Sequence, residues 1–441
     1  MLKTFQEHIN HHFPYLKNSK AIVACSGGID SILLAHLCLQ SGLDIALAHC
    51  NFKMRGAESE EDEAFVKNLG AHHQIPVFVK HLEAEAYGKV KRLSIQMAAR
   101  EMRYNWFQDL MTHERYDYVL TAHHADDNVE TFLINLSRGT GIEGLTGIPA
   151  VNGSYLRPLL PFSRKELVYF AKEHGIDWRE DSSNKRKKYL RNKLRHDVIP
   201  TLKEINPSLL ENFKKTIQYL DDSVTLIDDT VKKIKEDVFE RGTENEGRIR
   251  LSIAKLAALG EPRVYMYALL KDFGFTAWGD ITQLLQAQTG KYVSSATHRL
   301  VKDREYLLLA PIVKEANTRQ HYQIFEGESA MILPDQTLKL KKVAAINEIN
   351  RNTIYLAIDR LQYPLQLRKW QEGDVFYPLG MQGKKKLSKY FKDERLSLLD
   401  KENVWVLCSN DQIVWLVGYR ADERFKVTPD TQKILKITTT K

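Results

Sequence analysis

Between residues 20 and 180, short β-rich apolar runs alternate with amphipathic stretches. The order is "AIVAC" (21–25), a helix from Asp30, "DIALAH" (44–49), a helix from Ser59, "IPVFVKHL" (75–82), a helix from Ser94, "DYVLTAHH" (117–124) and a helix from Asp126. Parallel strands need a crossover between them, and a helix is the usual one, so this rhythm predicts a parallel sheet covered on both faces. Ser59 and Asp62 have the spacing of a capping box for the second helix. The stretch "GIDWREDSSNKRKK" (175–188) breaks the rhythm with turn residues and charge. From about residue 206 to residue 311 the pattern reads as mostly helical, with "LLENFKKTIQYLDDSVTLIDDTVKKIKEDVF" (209–239) as its longest periodic piece; after Pro311 short strands return, among them "NTIYLAI" and "QIVWLVGY". A chain of 441 residues exceeds one ordinary core. The expected class is therefore α/β: an N-terminal parallel-sheet domain over 1–205, a helical domain over 206–312 and a small α/β domain over 313–441.

Composition excludes several classes. No run of roughly 18 apolar residues is present to span a membrane, and "MLKTFQEHINHHF" lacks an apolar signal core, so a cytoplasmic protein with no membrane partner is expected. Cys25, Cys38, Cys50 and Cys408 form no Cys-x-x-Cys pair, which argues against a zinc ribbon or a simple redox motif. The formal charge of +8 is modest, but cations gather at 184–196 ("NKRKKYLRNKLRH") and 383–392 ("GKKKLSKYFK"), as a phosphate-facing surface requires.

"CSGGIDS" (25–31) stands where the first strand becomes a helix. Such a turn aims backbone N–H groups and the positive end of a helix dipole at one point, which suits an anion, and glycine lets phosphate oxygens approach closely. The lysine of Gly-x4-Gly-Lys-Ser/Thr is missing, so this is not the P-loop of kinases and GTPases. "GTGIEG" (139–144) fits Gly-x-Gly-x-x-Gly but follows a helix rather than a strand, and so lacks the context of a dinucleotide site. The full Ser-Gly-Gly-x-Asp-Ser pattern resembles the PP-loop of ATP pyrophosphatases, with their adenine nucleotide alpha hydrolase-like fold. The resemblance implies ATP at Ser26, Gly27, Gly28, Ile29, Asp30 and Ser31, with Asp30 organising Mg²⁺ and phosphate.

Ligands of open α/β sheets bind at the carboxyl edge, where the other strand ends carry "HCNFKMRG" (49–56) and "HHADDNVET" (123–131). Asp126 and Glu130 are four apart and share a helix face, with Asp127 within a turn of both. Acids in a first turn also serve the helix dipole, a role that suits one of the three better than the group. Arg100 and Arg103, three apart on the third helix, either reach a triphosphate or form a solvated face.

Longer stretches narrow the resemblance. "HCNFKMRGAESEEDEAFV", "HHADDNVETFLINLSRGTGIEGLTGI", "RPLL" and "EDSSN" followed by "YLRNKLRHDVIP" are similar to the tRNA(Ile)-lysidine synthetase family, as are "LRKWQEGDVFYPLGMQGKKKLSKYFKD" and "IVWLVGYRADERFKV" near the C-terminus. Cys50 and Phe52 depart from the Val and His that the family often has around that Asn. The resemblance implies adenylation of the wobble cytidine of an isoleucine tRNA with a CAU anticodon, displacement of AMP by L-lysine, and release of pyrophosphate. It implies catalytic roles for Asp30, Asp126, Glu130 and Arg191, ATP contact by Arg100, and lysine binding by Asp126, Asp127 and Glu130. Arg191, Arg195, Lys384, Lys385 and Lys386 are then expected to hold tRNA, although three adjacent lysines also describe a solvated loop. A homodimer is compatible with the reading. A PP-loop tRNA thiolase would need paired cysteines, an amidotransferase-type synthetase a glutaminase domain, and an RNA-binding module no intact ATP motif.

Overall fold

The computed structural model describes residues 1–180, 190–241, 247–312, 321–348 and 350–440; the basic residues 185–188 of the first cationic run and the "DSSN" of the family-like stretch lie outside them. The chain divides into two compact units, Met1–Asp228 and Asp229–Lys441.

The first unit opens with α1 (Leu2–His12) and then follows the predicted alternation: β1 (Lys20–Ala24), α2 (Ile29–Gln40), β2 (Asp44–Asn51), α3 (Ala57–His73), β3 (Val77–His81), α4 (Ala84–Lys91), α5 (Ile95–Glu114), β4 (Tyr118–Leu120) and α6 (Ala125–Arg138). A short α7 (Ile142–Leu145), β5 (Val151–Asn152), β6 (Tyr155–Leu156) and α8 (Arg164–Glu173) complete the sheet layer. The strand order is β3-β2-β1-β4-β6-β5, parallel except for the β5–β6 pair. Strand β1 alternates faces: Ala21 and Val23 pack with Phe5, Leu33 and Phe170 on one side, and Ile22 packs with Trp106, Phe107 and Val119 on the other. Burial on both faces explains why the strands read as continuous apolar runs.

Successive strands run outward from β1 to β3, and the chain then returns to place β4 on the other side of β1. The turns leaving β1 and β4 therefore splay apart at a topological switch point, where open α/β sheets form their crevice. A helical segment, α9 (Leu190–Lys193), a π-helical turn (Leu194–Val198) and α10 (Ile199–Ile205), comes back to this edge before the long α11 (Leu209–Val238).

Two sequence expectations change here. Helix α3 begins at Ala57 with Gly56 as its N-cap, so Ser59 lies inside the first turn and no capping box forms with Asp62. Beyond Val238 the stretch read as mostly helical holds a five-stranded antiparallel sheet, from β7 (Phe239–Arg241), β8 (Ile249–Ser252), β9 (Tyr292–Ser294), β10 (His298–Asp303) and β11 (Tyr306–Pro311), in the order β7-β8-β11-β10-β9. Its helices α12 (Ile253–Ala257), α13 (Pro262–Leu270) and α14 (Trp278–Gln283) are short. Strands β7, β8 and β9 are short too, and the buried positions of β10 and β11 run consecutively, as in a buried helix segment.

The rest of the second unit contains β12 (His321–Ile324), β13 (Ala330–Ile332), β14 (Thr337–Val343), β15 (Thr353–Ala357), β16 (Leu365–Lys369), β17 (Val375–Phe376), β18 (Lys385–Lys386), α15 (Leu387–Asp393), α16 (Leu398–Asn403), β19 (Trp405–Ser409), β20 (Gln412–Leu416) and β21 (Ile434–Thr440). Two four-stranded sheets, β12-β16-β19-β20 and β13-β14-β21-β15, share a core that includes Leu338, Leu356, Leu367, Trp415 and Ile437.

Candidate active site

The turn after β1 is held open by its own serines. Ser31 Oγ accepts from the Ser26 amide at 3.2 Å and donates to the Gly28 carbonyl at 2.9 Å, and Ser26 Oγ lies 3.4 Å from the Gly28 nitrogen. Gly27 sits at φ +88°, a left-handed conformation that L-residues with a side chain adopt at a cost. Gly28 caps α2 without a side-chain hydrogen bond, and the Ser31 N–H turns back to the Gly28 carbonyl at 3.1 Å. Behind the loop, Arg179 donates its backbone N–H to the Gly27 carbonyl at 2.9 Å while its guanidinium binds Asp62 at 3.0 Å and Glu61 at 2.6 Å. Asp62, expected as a cap, instead ties Arg179 and Arg55, the latter at 2.9 Å.

Asp30 stands in the first turn of α2, with Oδ2 3.7 Å from His124 Nε2. Its Oδ1 is buried with no hydrogen-bond partner among the described residues. His124, 1% exposed, caps α6: its Nδ1 accepts from the Asp127 amide at 3.4 Å, and the Asp127 carboxylate answers by accepting from the His124 amide at 3.1 Å. Burial opposes charge on this imidazole, but Asp30, Asp127 and Asp126 together raise its pKa above the ordinary histidine value. The adjacent His123 goes the other way: burial lowers it to about 4, Asp127 works against that, and Arg157, Arg191 and Arg100 add to it.

The three acids of α6 are met by three cations from the returning segment. Glu130, 0% exposed, receives Arg191 Nε at 2.6 Å and Arg195 Nε at 2.5 Å. Asp127 Oδ1 receives Arg195 at 2.7 Å and Arg191 at 3.5 Å. Asp126 pairs through Oδ1 with Lys203 and accepts the Arg164 backbone N–H at 2.8 Å. Burial would raise the carboxyls of Asp126 and Asp127; their hydrogen bonds and neighbouring cations outweigh it and hold both below the ordinary aspartate value. The helical spacing of Arg191 and Arg195 is what brings both to Glu130, with Arg195 inside the π-helical turn. Such turns widen a helix locally and recur at functional sites.

Other expected residues stand apart from this cluster. Arg100 donates to Tyr104 Oη at 3.4 Å and lies 4.8 Å from the centre of that ring; Arg103 lies 5.5 Å from the Phe52 ring. "GTGIEG" follows α6, as its sequence context indicated, with Gly139 ending that helix and Gly141 starting α7. In the second unit Lys384 and Lys386 are exposed, whereas Lys385 turns to Asp393 at 2.8 Å and lies over Tyr390. Sequence reasoning missed Arg179, Lys203 and the capping role of His124. The cations come from more than 60 residues away, and no local pattern joins them to their acids. Cys25, Cys38 and Cys408 are buried, Cys50 is partly so, and burial pushes Cys25 and Cys408 up to about 11 and Cys50 up to about 12.

Family models match along most of the chain: a PP-loop domain at residues 1–202, a TilS substrate binding domain at 244–312 and a TilS substrate C-terminal domain at 365–437. A tRNA(Ile)-lysidine synthase of Parabacteroides distasonis is 37% identical over 441 residues, covering 99% of this chain and 99% of the relative. The chain belongs to the tRNA(Ile)-lysidine synthase family. A relative of the same name from Bacteroides thetaiotaomicron is also 37% identical, covering 96% of this chain and 95% of its own. Among solved structures, the U34-tRNA thiolase NcsA from Methanococcus maripaludis aligns with a TM-score of 0.41 at 16% identity, over 49% of this chain and 78% of that one. No helix among the described residues is long and apolar enough to cross a membrane.

Proposed function

We propose that the protein ligates L-lysine to the wobble cytidine of the CAU anticodon of isoleucine tRNA, using ATP and releasing AMP and pyrophosphate. Family membership over the full chain supports the reaction, and a single observation ties it to this site: the anion-binding turn and the acid helix meet at the sheet's switch point, Asp30 to His124 at 3.7 Å. The carbonyl oxygen of cytosine is a poor leaving group, so the tRNA is first adenylated on it. Ser26, Gly27, Gly28, Ile29 and Ser31 cradle the departing pyrophosphate, which develops charge that backbone donors stabilise. Arg100 serves the nucleotide from α5.

Mg²⁺ fits this turn: it takes one or two carboxylates alongside substrate phosphates, and Asp30 offers a buried oxygen with no partner. Held by Asp30, such an ion would neutralise phosphate charge. The ε-amine of L-lysine, with an ordinary pKa of about 10.4, must pass its proton to a neighbouring carboxylate of α6, Asp126 or Asp127, before it displaces AMP. Asp126 and Asp127 receive its ammonium groups, and Asp126 borders an open pocket of about 390 Å³. Glu130, sealed beneath Arg191 and Arg195, acts through them by fixing guanidiniums that hold the tRNA phosphate or AMP. Lys384 and Lys386 dock the tRNA backbone from the second unit, positioning it rather than reading sequence; Lys385, already paired with Asp393, contributes less.

The test is ATP-dependent transfer of labelled L-lysine to isoleucine tRNA with a CAU anticodon. Label should appear on that tRNA and not on one whose wobble cytidine is replaced by uridine. No incorporation, or equal incorporation into both, would overturn the proposal.

A further inference from the structure

The three cations of the acid helix are not held alike. Arg195 contacts Glu130 through both Nε and a terminal nitrogen and also reaches Asp127, and Arg191 spans the same two acids. A planar fork on two buried carboxylates is hard to displace. Lys203 is attached through one ammonium to one oxygen of Asp126, and its side chain is 34% exposed. It extends from α10 into the wall of the 390 Å³ pocket, which is also lined by Asp126, Glu130, Arg164, Lys165 and Arg195. An acid paired with one ammonium on a four-carbon stem, beside the apolar Val168, Ile199 and Pro200, reproduces the contact by which Asp126 would recognise free L-lysine.

We infer that Lys203 is an internal stand-in for the substrate: it occupies Asp126 while the site is empty and must swing away before the ammonium of L-lysine takes its place. The inference rests on the reading above, in which Asp126 receives that ammonium. Its physical logic is charge conservation. A nearly buried carboxylate without a cation is costly, and exchanging one primary ammonium for another keeps Asp126 paired in both states. The exchange also weakens substrate binding, because only molecules with Lys203 displaced can accept lysine, and apparent affinity falls in proportion to that fraction. A ligand without an ammonium gains nothing from evicting Lys203, so the device discriminates by charge.

The experiment measures the KM for L-lysine at saturating ATP and tRNA in wild type, Lys203→Met, Lys203→Arg and Asp126→Asn. If the stand-in occupies Asp126 about four-fifths of the time, Lys203→Met lowers the lysine KM roughly fivefold. Lys203→Arg keeps a competing cation and does not lower it, and Asp126→Asn raises it. Lys203→Gln provides the same readout should the methionine variant fail to fold. A tie that merely joins α10 to α6 predicts reduced thermal stability with an unchanged or higher lysine KM. That outcome, together with a raised KM in Asp126→Asn, overturns the inference alone. A wild-type lysine KM in Asp126→Asn overturns the reading beneath it and the inference with it.

Discussion

The turn after β1 presents backbone and the helix after β4 presents side chains. In the turn, the Ser26 and Gly28 amides meet the hydroxyls of Ser31 and Ser26, weak neutral contacts, and one carboxylate oxygen of Asp30 is spare. On the helix, Asp126, Asp127 and Glu130 already face Lys203, Arg195 and Arg191. One side of the crevice is ready for a ligand from solution, and the other is neutralised by the chain itself. A backbone anion site can stand empty cheaply because water solvates exposed N–H groups, whereas three clustered carboxylates with little exposure need counter-charges at all times.

The largest test of this contrast is Asp30→Asn. If the open side performs the adenylation, pyrophosphate release in the presence of tRNA falls roughly 10²- to 10³-fold, the scale of removing one preorganised charge-stabilising group. Binding of tRNA persists. Near-normal pyrophosphate release would remove Asp30 from the chemistry and dissolve the distinction.

Glu130→Gln probes the closed side. Glu130 is fully buried, but Arg191 remains 41% exposed and can recover solvent, so the loss is smaller than for a fully buried pair: about 2 kcal/mol of unfolding free energy. Denaturant titration measures it. An unchanged midpoint would mean that the arginines, and not the acid, organise the segment.

The smallest effect belongs to Gly27→Ala. A methyl group there would meet its nearest neighbours at 3.9 Å, so space is not limiting and the φ of +88° carries the cost, about 1 kcal/mol. Stability should fall by that amount and the KM for ATP should rise, while the lysine KM stays constant. A change in lysine KM would show that the two sides are not independent.

The same contrast explains what could be read from the amino-acid sequence. Six consecutive residues encode the turn, and apolar runs of a few residues encode the strands beside it, so both were legible. The four-residue spacing of Arg191 and Arg195 announced a shared face, but not that Glu130, 61 and 65 residues earlier, lay opposite. Lys203 and Arg179 carry no local signature, since their partners are chosen by the fold. The antiparallel sheet after Val238 escaped for a different reason: β7, β8 and β9 are only three or four residues long, and the buried positions of β10 and β11 run consecutively, a pattern that periodicity does not tell from a buried helix.

The distance between acids and cations also orders events during synthesis. Helix α6 leaves the ribosome 61 to 77 residues ahead of the side chains that neutralise it. Until residues 191–203 emerge, its carboxylates have only the His124 cap and the Arg164 N–H to meet them, and water does the rest. A fragment ending after α8 would contain every strand of the parallel sheet and the whole turn after β1, yet lack these three cations. Such a fragment is expected to be less stable to denaturant than one that reaches Lys203.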